Sequence, residues 1–134
     1  MGADGNIKTI QAVYEAFGRG DLAFILDAVS DDVDWATDTS STAAPWYGER
    51  VGKEGVTAFF EAFGTAMEVE EFTPRTFAAT ETEVLTVVRC RAKARATGKA
   101  LDMNFHHYFV LSDGKISYYR GTEDTAQTEA VLRP

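Results

Sequence analysis

Cysteine is almost absent: Cys90 is the only one in 134 residues, so no internal disulfide can form. It lies in a strand-like run, where a lone cysteine is ordinarily a buried, inert thiol. Positive charge is also scarce, with 13 Lys and Arg against 21 Asp and Glu and a formal net charge of −8. A nucleic-acid ligand demands a basic surface to neutralise phosphates, so that class is excluded, and anionic membranes are disfavoured for the same reason. No run of 18 apolar residues occurs, and no cationic segment leads into an apolar one at the start, which points to a cytoplasmic protein. Repeats and low-complexity segments are missing as well.

What is present is the composition of a soluble globular protein, 45% hydrophobic and 25% charged. A chain of this length reads as one domain, 1–134, able to bury a core without staples. Ile7, Ile10, Tyr14 and Phe17, with Val13 beside them, share a helical face over residues 6–18. Gly18 and Gly20 end that helix, and Asp21 caps a second with Leu22, Ile25, Leu26 and Val29 on its face. Residues 30–32 break it. Val33, Trp35 and Thr37 then alternate with polar or small residues, predicting a short strand with Trp35 inward.

Residues 38–52 read as a long loop, a length that is often functional in a compact domain. Gly52 to Gly64 predicts a third helix burying Val56, Phe59, Phe60 and Phe63. Strands are predicted near 68–79, 83–96, 101–112 and 115–123, with hairpin signals at Thr97-Gly98 and Asp113-Gly114. A short helix capped by Asp124 or Thr125 closes the chain. Helices set apart from an antiparallel meander make an α+β domain, and a curved sheet around the first and third helices leaves a conical cavity.

Several segments carry a resemblance. They are Phe-Gly-Arg-Gly-Asp-Leu at 17–22, Ser-Asp-Asp-Val-Asp-Trp at 30–35, the stretch 47–56, and 106–116 running on to Arg-Gly-Thr-Glu-Asp-Thr at 120–125. Together these resemble the nuclear-transport-factor-2-like superfamily, and within it the SnoaL-like proteins related to ketosteroid isomerase. The resemblance implies a cystatin-like α+β roll with a cone-shaped pocket, and a homodimer formed through the sheet. It does not imply one activity, because the superfamily hosts isomerases, cyclases, epoxide hydrolases and proteins without known catalysis.

In the strand 101–112, one face holds Met103, Phe105, His107, Phe109 and Leu111, apolar except for the histidine. In the isomerase, the matching strand presents an acid that polarises the substrate carbonyl. Turn alignment puts that position at His107 or His106, and strand parity selects His107. It is either a hydrogen-bond donor or acid/base in a pocket, or a satisfied core histidine. Adjacent histidines on opposite faces do not share a metal easily, so no metal and no cofactor is expected.

The isomerase's base falls on Thr37, one residue short of Asp38, and its first-helix tyrosine falls on Val13, one step from Tyr14. This chain thus departs from the isomerase at all three positions. In the last strand, the resemblance turns Tyr119, Gly121 and Glu123 inward. Asp124 matches the SnoaL-like acid/base aspartate, and its alternative role is a helix cap. The candidate catalytic set is therefore His107, Glu123 and Asp124.

Candidate ligand-binding residues are the aromatics Phe17, Trp35, Phe59 and Phe63 of the first half, with Phe105, Phe109 and Tyr119 of the closing strands. Trp46 and Tyr47, in the long loop, are candidates for a lid over the pocket mouth. Arg89, Arg91, Lys93 and Arg95 form one basic face, either solvated or paired with Glu68, Glu70 and Glu71. The function expected is a pocket for a hydrophobic small molecule, with proton transfer of the isomerase, cyclase or hydratase type. The alternatives are a non-catalytic binder of an apolar ligand and a dimeric interaction domain whose cone is filled. A second titratable group within about 6 Å of His107 favours the enzyme.

Overall fold

The computed structural model describes residues 2–134. Helix α1 spans Gly2–Gly18 and buries Asn6, Ile10, Val13, Tyr14 and Ala16 on one face. Gly20 adopts φ of 72°, the left-handed conformation that stops a helix, and Asp21 N–H donates back to the Ala16 carbonyl at 2.8 Å. The Asp21 side chain then accepts from Phe24 N–H at 3.0 Å, capping α2 (Leu22–Ala28).

Strand β1 (Val29–Thr37) follows directly, β2 is the pair Arg50–Val51, and α3 spans Gly52–Ala66. Four long strands come next: β3 (Met67–Ala79), β4 (Glu83–Ala94), β5 (Ala100–Ser112) and β6 (Lys115–Thr122). Helix α4 (Thr125–Leu132) closes the chain. No helix among the described residues is long and apolar enough to cross a membrane.

The sheet order is β2-β1-β6-β5-β4-β3, with β1 parallel to β6 and every other pair antiparallel. The expected four-stranded meander is thus the larger part of a six-stranded sheet. Register shifts at Val69/Glu71, Pro74/Thr76 and Val110/Leu111 mark irregularities that bend it. Pro74 is tolerated because β3 is an edge strand.

Two turns set the register. Asp113 and Gly114 both take positive φ, 52° and 76°, the tight hairpin that the sequence predicts. The turn before β5 is longer than a two-residue Thr97-Gly98 loop. Strand β4 stops at Ala94, whose N–H donates to the Lys99 carbonyl and whose carbonyl accepts from Gly98 N–H, both at 2.8 Å.

Alternation sorts the sheet into two faces. On β4 the inner residues Val84, Thr86, Val88, Cys90, Ala92 and Ala94 are buried, and on β5 every odd residue from Leu101 to Leu111 is. Burying a large apolar side chain of this kind stabilises the fold by about 1.5–3 kcal/mol. On the outer face the basic row is paired, not simply solvated. Arg91 meets Glu71 at 3.1 Å and Glu70 at 3.8 Å, Lys93 meets Glu70 at 3.8 Å, and Arg89 pairs with Asp102.

The long loop departs most from expectation. Trp46 is only 1% exposed and packs edge-on against Phe63 at 5.0 Å, and Tyr47 is buried beside it. These residues are core, not a lid, because the loop folds back as β2 against β1 through the pairs Asp34–Val51 and Trp35–Arg50.

Candidate functional site

The concave face of the sheet and the helices α1 and α3 enclose one cavity of predominantly aromatic lining. Phe17 comes from α1, Phe59, Phe60 and Phe63 from α3, and Phe72, Phe105 and Phe109 from the sheet. Its volume is about 630 Å³ with the open mouth counted. This aromatic slot is the candidate site.

Few polar groups reach this slot. His107 lies on its wall, 8% exposed, with the Tyr14 hydroxyl 2.7 Å from Nδ1. Tyr14 is also 2.5 Å from Thr86 Oγ1, so α1, β4 and β5 meet in one hydrogen-bonded chain. Burial is the main cause that lowers the His107 pKa to about 3, with the charge of His106 adding to it. The ring is neutral across the physiological range. Burial raises the Tyr14 hydroxyl's pKa above its ordinary value, so it too is neutral.

Tyr14 thus supplies a titratable group well within 6 Å of His107. Its raised pKa and the lowered one of His107 both lie far from neutrality, however, so the two do not form a proton-exchanging pair at pH 7.

Tyr119 stacks on Trp35 with ring centroids 4.1 Å apart. Its hydroxyl lies over Gly121, where an added Cβ would sit 2.2 Å from the oxygen and 3.3 Å from His107 Cδ2. Gly121 is needed for that close approach. Burial raises the Tyr119 pKa well above the ordinary phenol value. Among the described residues neither this hydroxyl nor His107 Nε2 has a hydrogen-bond partner, and both remain reachable from the slot. Trp35 Nε1 is also unpartnered but is sealed from solvent.

Glu123 lies at the end of β6 and lines the same slot. Its carboxylate accepts from Trp46 Nε1 at 3.3 Å, Tyr47 hydroxyl at 2.9 Å and Thr128 Oγ1 at 2.6 Å. It joins the long loop, β6 and α4 at one point. Burial, followed by the Glu123 charge, pushes the Tyr47 pKa up.

Of the candidates from the sequence, His107 and Glu123 line the slot together with Phe17, Trp35, Trp46 and Phe59. Phe63, Phe105, Phe109 and Tyr119 line it as well. Asp124 does not. It is the N-cap of α4, accepting from Gln127 N–H at 3.2 Å. Tyr47 stands behind the wall and reaches the site only through Glu123. Asp38 is exposed and lies away from the slot, whereas Thr37 lines it.

Sequence reasoning missed Tyr14, Phe72 and Thr86. The signal for Tyr14 was present, since it shares the apolar face of α1 with Ile10 and Phe17; matching the isomerase tyrosine to Val13 obscured it.

Comparison with known proteins agrees with this architecture. The SnoaL-like domain family matches residues 10–119. No curated protein matches the chain. Among solved structures, an NTF2-like protein of unknown function from Burkholderia pseudomallei is 24% identical over 97% of this chain and 98% of its own, with a TM-score of 0.89. TerC, co-crystallised with polyporic acid, is 23% identical over 96% and 98%, at 0.83. An LEH-like epoxide hydrolase of Mycobacterium tuberculosis is 15% identical over 97% and 90%, at 0.75.

Proposed function

This chain belongs to the SnoaL-like domain family, and we propose that its slot binds a flat, hydrophobic small molecule on which it performs proton transfer. The reaction is of the isomerase, cyclase or hydratase type. The observation that carries this reading is the neutral His107 with its free Nε2 facing an otherwise aromatic slot. A few polar groups converging in an apolar cleft is the usual form of a small-molecule site.

His107 and the Tyr119 hydroxyl hold the substrate oxygen. Glu123 is the acceptor for a carbon-bound proton, since among the described residues it is the only carboxylate that lines the slot. Relatives of this fold named as an epoxide hydrolase and as a protein crystallised with polyporic acid support a small-molecule role.

Incubating the protein in D₂O with a panel of enolisable aryl ketones tests the reaction. The expected outcome is deuterium incorporation that Glu123→Gln abolishes while the ketone still binds. Binding without exchange in the unmodified protein gives the second reading, a non-catalytic binder. One observation favours that reading: three donors already occupy the Glu123 carboxylate.

The working unit in this reading is a homodimer formed through the outer face of the sheet. Leu85 is 53% exposed there, opposite the half-buried Tyr108. The charges on that face are matched within the chain, so two copies do not meet as like-charged surfaces. Light scattering behind size exclusion gives the mass directly.

A further inference from the structure

We propose that Tyr14, itself held by Thr86, fixes His107 in its Nε2–H tautomer, so that the slot offers a donor and selects ligands bearing a carbonyl or another acceptor oxygen. The buried protons set the direction of this hydrogen-bonded chain. Thr86 is 3% exposed, does not line the slot, and has the Tyr14 hydroxyl as its sole hydrogen-bond partner among the described residues. Its hydroxyl proton therefore has one acceptor, the Tyr14 oxygen.

With that oxygen accepting, the Tyr14 proton is free to point the other way, to His107 Nδ1 at 2.7 Å. Nδ1 must then be bare, and the ring proton sits on Nε2, the ring nitrogen that has no protein partner and is not sealed from solvent, on a residue that lines the slot. The reverse chain runs from Nδ1–H to Tyr14 and from Tyr14 to Thr86. It strands the Thr86 proton in the core, and an unsatisfied buried donor is heavily disfavoured. The lowered His107 pKa agrees, because a neutral ring must choose one tautomer.

Tyr14 and Thr86 are positioning residues in this account. Tyr14 holds the ring at Nδ1 and Thr86 acts through Tyr14, which leaves Nε2 as the ring nitrogen for the ligand. The consequence for ligand choice rests on the reading of the slot as a small-molecule site, but the tautomer does not.

The test has two arms. Long-range ¹⁵N–¹H NMR on the uniformly labelled protein at pH 7 reports which ring nitrogen carries the proton. The expected result is Nε2–H in the unmodified protein and in Thr86→Val, which leaves Tyr14 as the donor. In Tyr14→Phe the freed ring populates Nδ1–H as well. A proton on Nδ1 in the unmodified protein overturns the proposal without any variant having to fold, and so does a Tyr14→Phe ring identical to the parent's.

In the second arm, calorimetry compares 2-acetylnaphthalene with 2-ethylnaphthalene. The ketone should bind about fivefold tighter, the worth of one net hydrogen bond. Equal affinities refute the donor role of Nε2. If neither compound binds, the small-molecule reading suffers, and the tautomer still stands or falls on the spectra.

Discussion

Acidifying a solution of this protein from pH 7 to pH 5.5 should cost it about 1.3 kcal/mol of folding stability through His107 alone. The folded ring has its pKa lowered to about 3, and an unfolded histidine titrates near 6.5. The unfolded chain therefore binds the extra proton first, and stability rises with pH between those two values. The contribution is fully present above about pH 6.5 and is lost progressively as pH falls toward about 3. The full span of that loss approaches about 4.8 kcal/mol at its acid end, a large share of the 5–15 kcal/mol by which domains are usually stable.

The window from 7 to 5.5 isolates the effect, because ordinary carboxylates remain charged there. Urea melts at four pH values across it measure the slope. The comparison is His107→Gln, whose amide keeps a partner for the Tyr14 hydroxyl and does not titrate. The parent should lose stability relative to the variant by about 1.3 kcal/mol over the window, in addition to any constant offset between them. Parallel curves refute the reasoning, since they would mean that His107 accepts a proton in the folded state as readily as in the unfolded one.

Three further outcomes follow from the packing. Gly121→Ala puts a methyl 2.2 Å from the Tyr119 hydroxyl, and that ring is pinned by Trp35 at 4.1 Å and Phe109 at 5.1 Å. The variant should lose about 1–3 kcal/mol in denaturant melts and bind slot ligands more weakly, as expected for overpacking. Asp124→Ala removes the cap on Gln127 N–H and should cost about 1 kcal/mol with ligand affinity unchanged; a calorimetric loss of binding would restore Asp124 to the site. Burial pushes the Cys90 thiol up to about 12, so the native protein should resist iodoacetamide at pH 8 and react fully once unfolded. Stoichiometric labelling of the native protein contradicts that burial.

The fold was largely legible because its signals are local. Alternation along 101–112 placed His107 on the inner face, but the parity of the last strand was not legible: continued from the Asp113-Gly114 turn, the register would set Tyr118 opposite Phe109, and a bulge between Val110 and Leu111 puts Tyr119 there instead. Asp21 and Asp124 announced helix starts by residue type, and both are observed caps. The fate of the 38–52 loop was not legible. Trp46 is buried through contacts with Phe63 and with Glu123, which is 77 residues away in sequence, and no local pattern encodes that distance.

The site itself was half legible for a different reason. A sequence shows which polar groups exist but not which of them spend their hydrogen bonds on one another. Tyr14, Thr86, Tyr47, Thr128, Trp46 and His107 could all have been ligand contacts by residue type. The structure commits Thr86 to Tyr14 and Tyr14 to His107 Nδ1, and it commits Trp46, Tyr47 and Thr128 to Glu123. The polar groups left along the slot include His107 Nε2, the Tyr119 hydroxyl, Thr37 and the remaining lone pairs of Glu123. His107 and Tyr119 are both neutral at pH 7. Recognition in this slot therefore depends on hydrogen-bond direction more than on charge. On the proposed reading of the slot as a small-molecule site, the tautomer of one histidine, which neither composition nor spacing can reveal, sets which ligands it accepts.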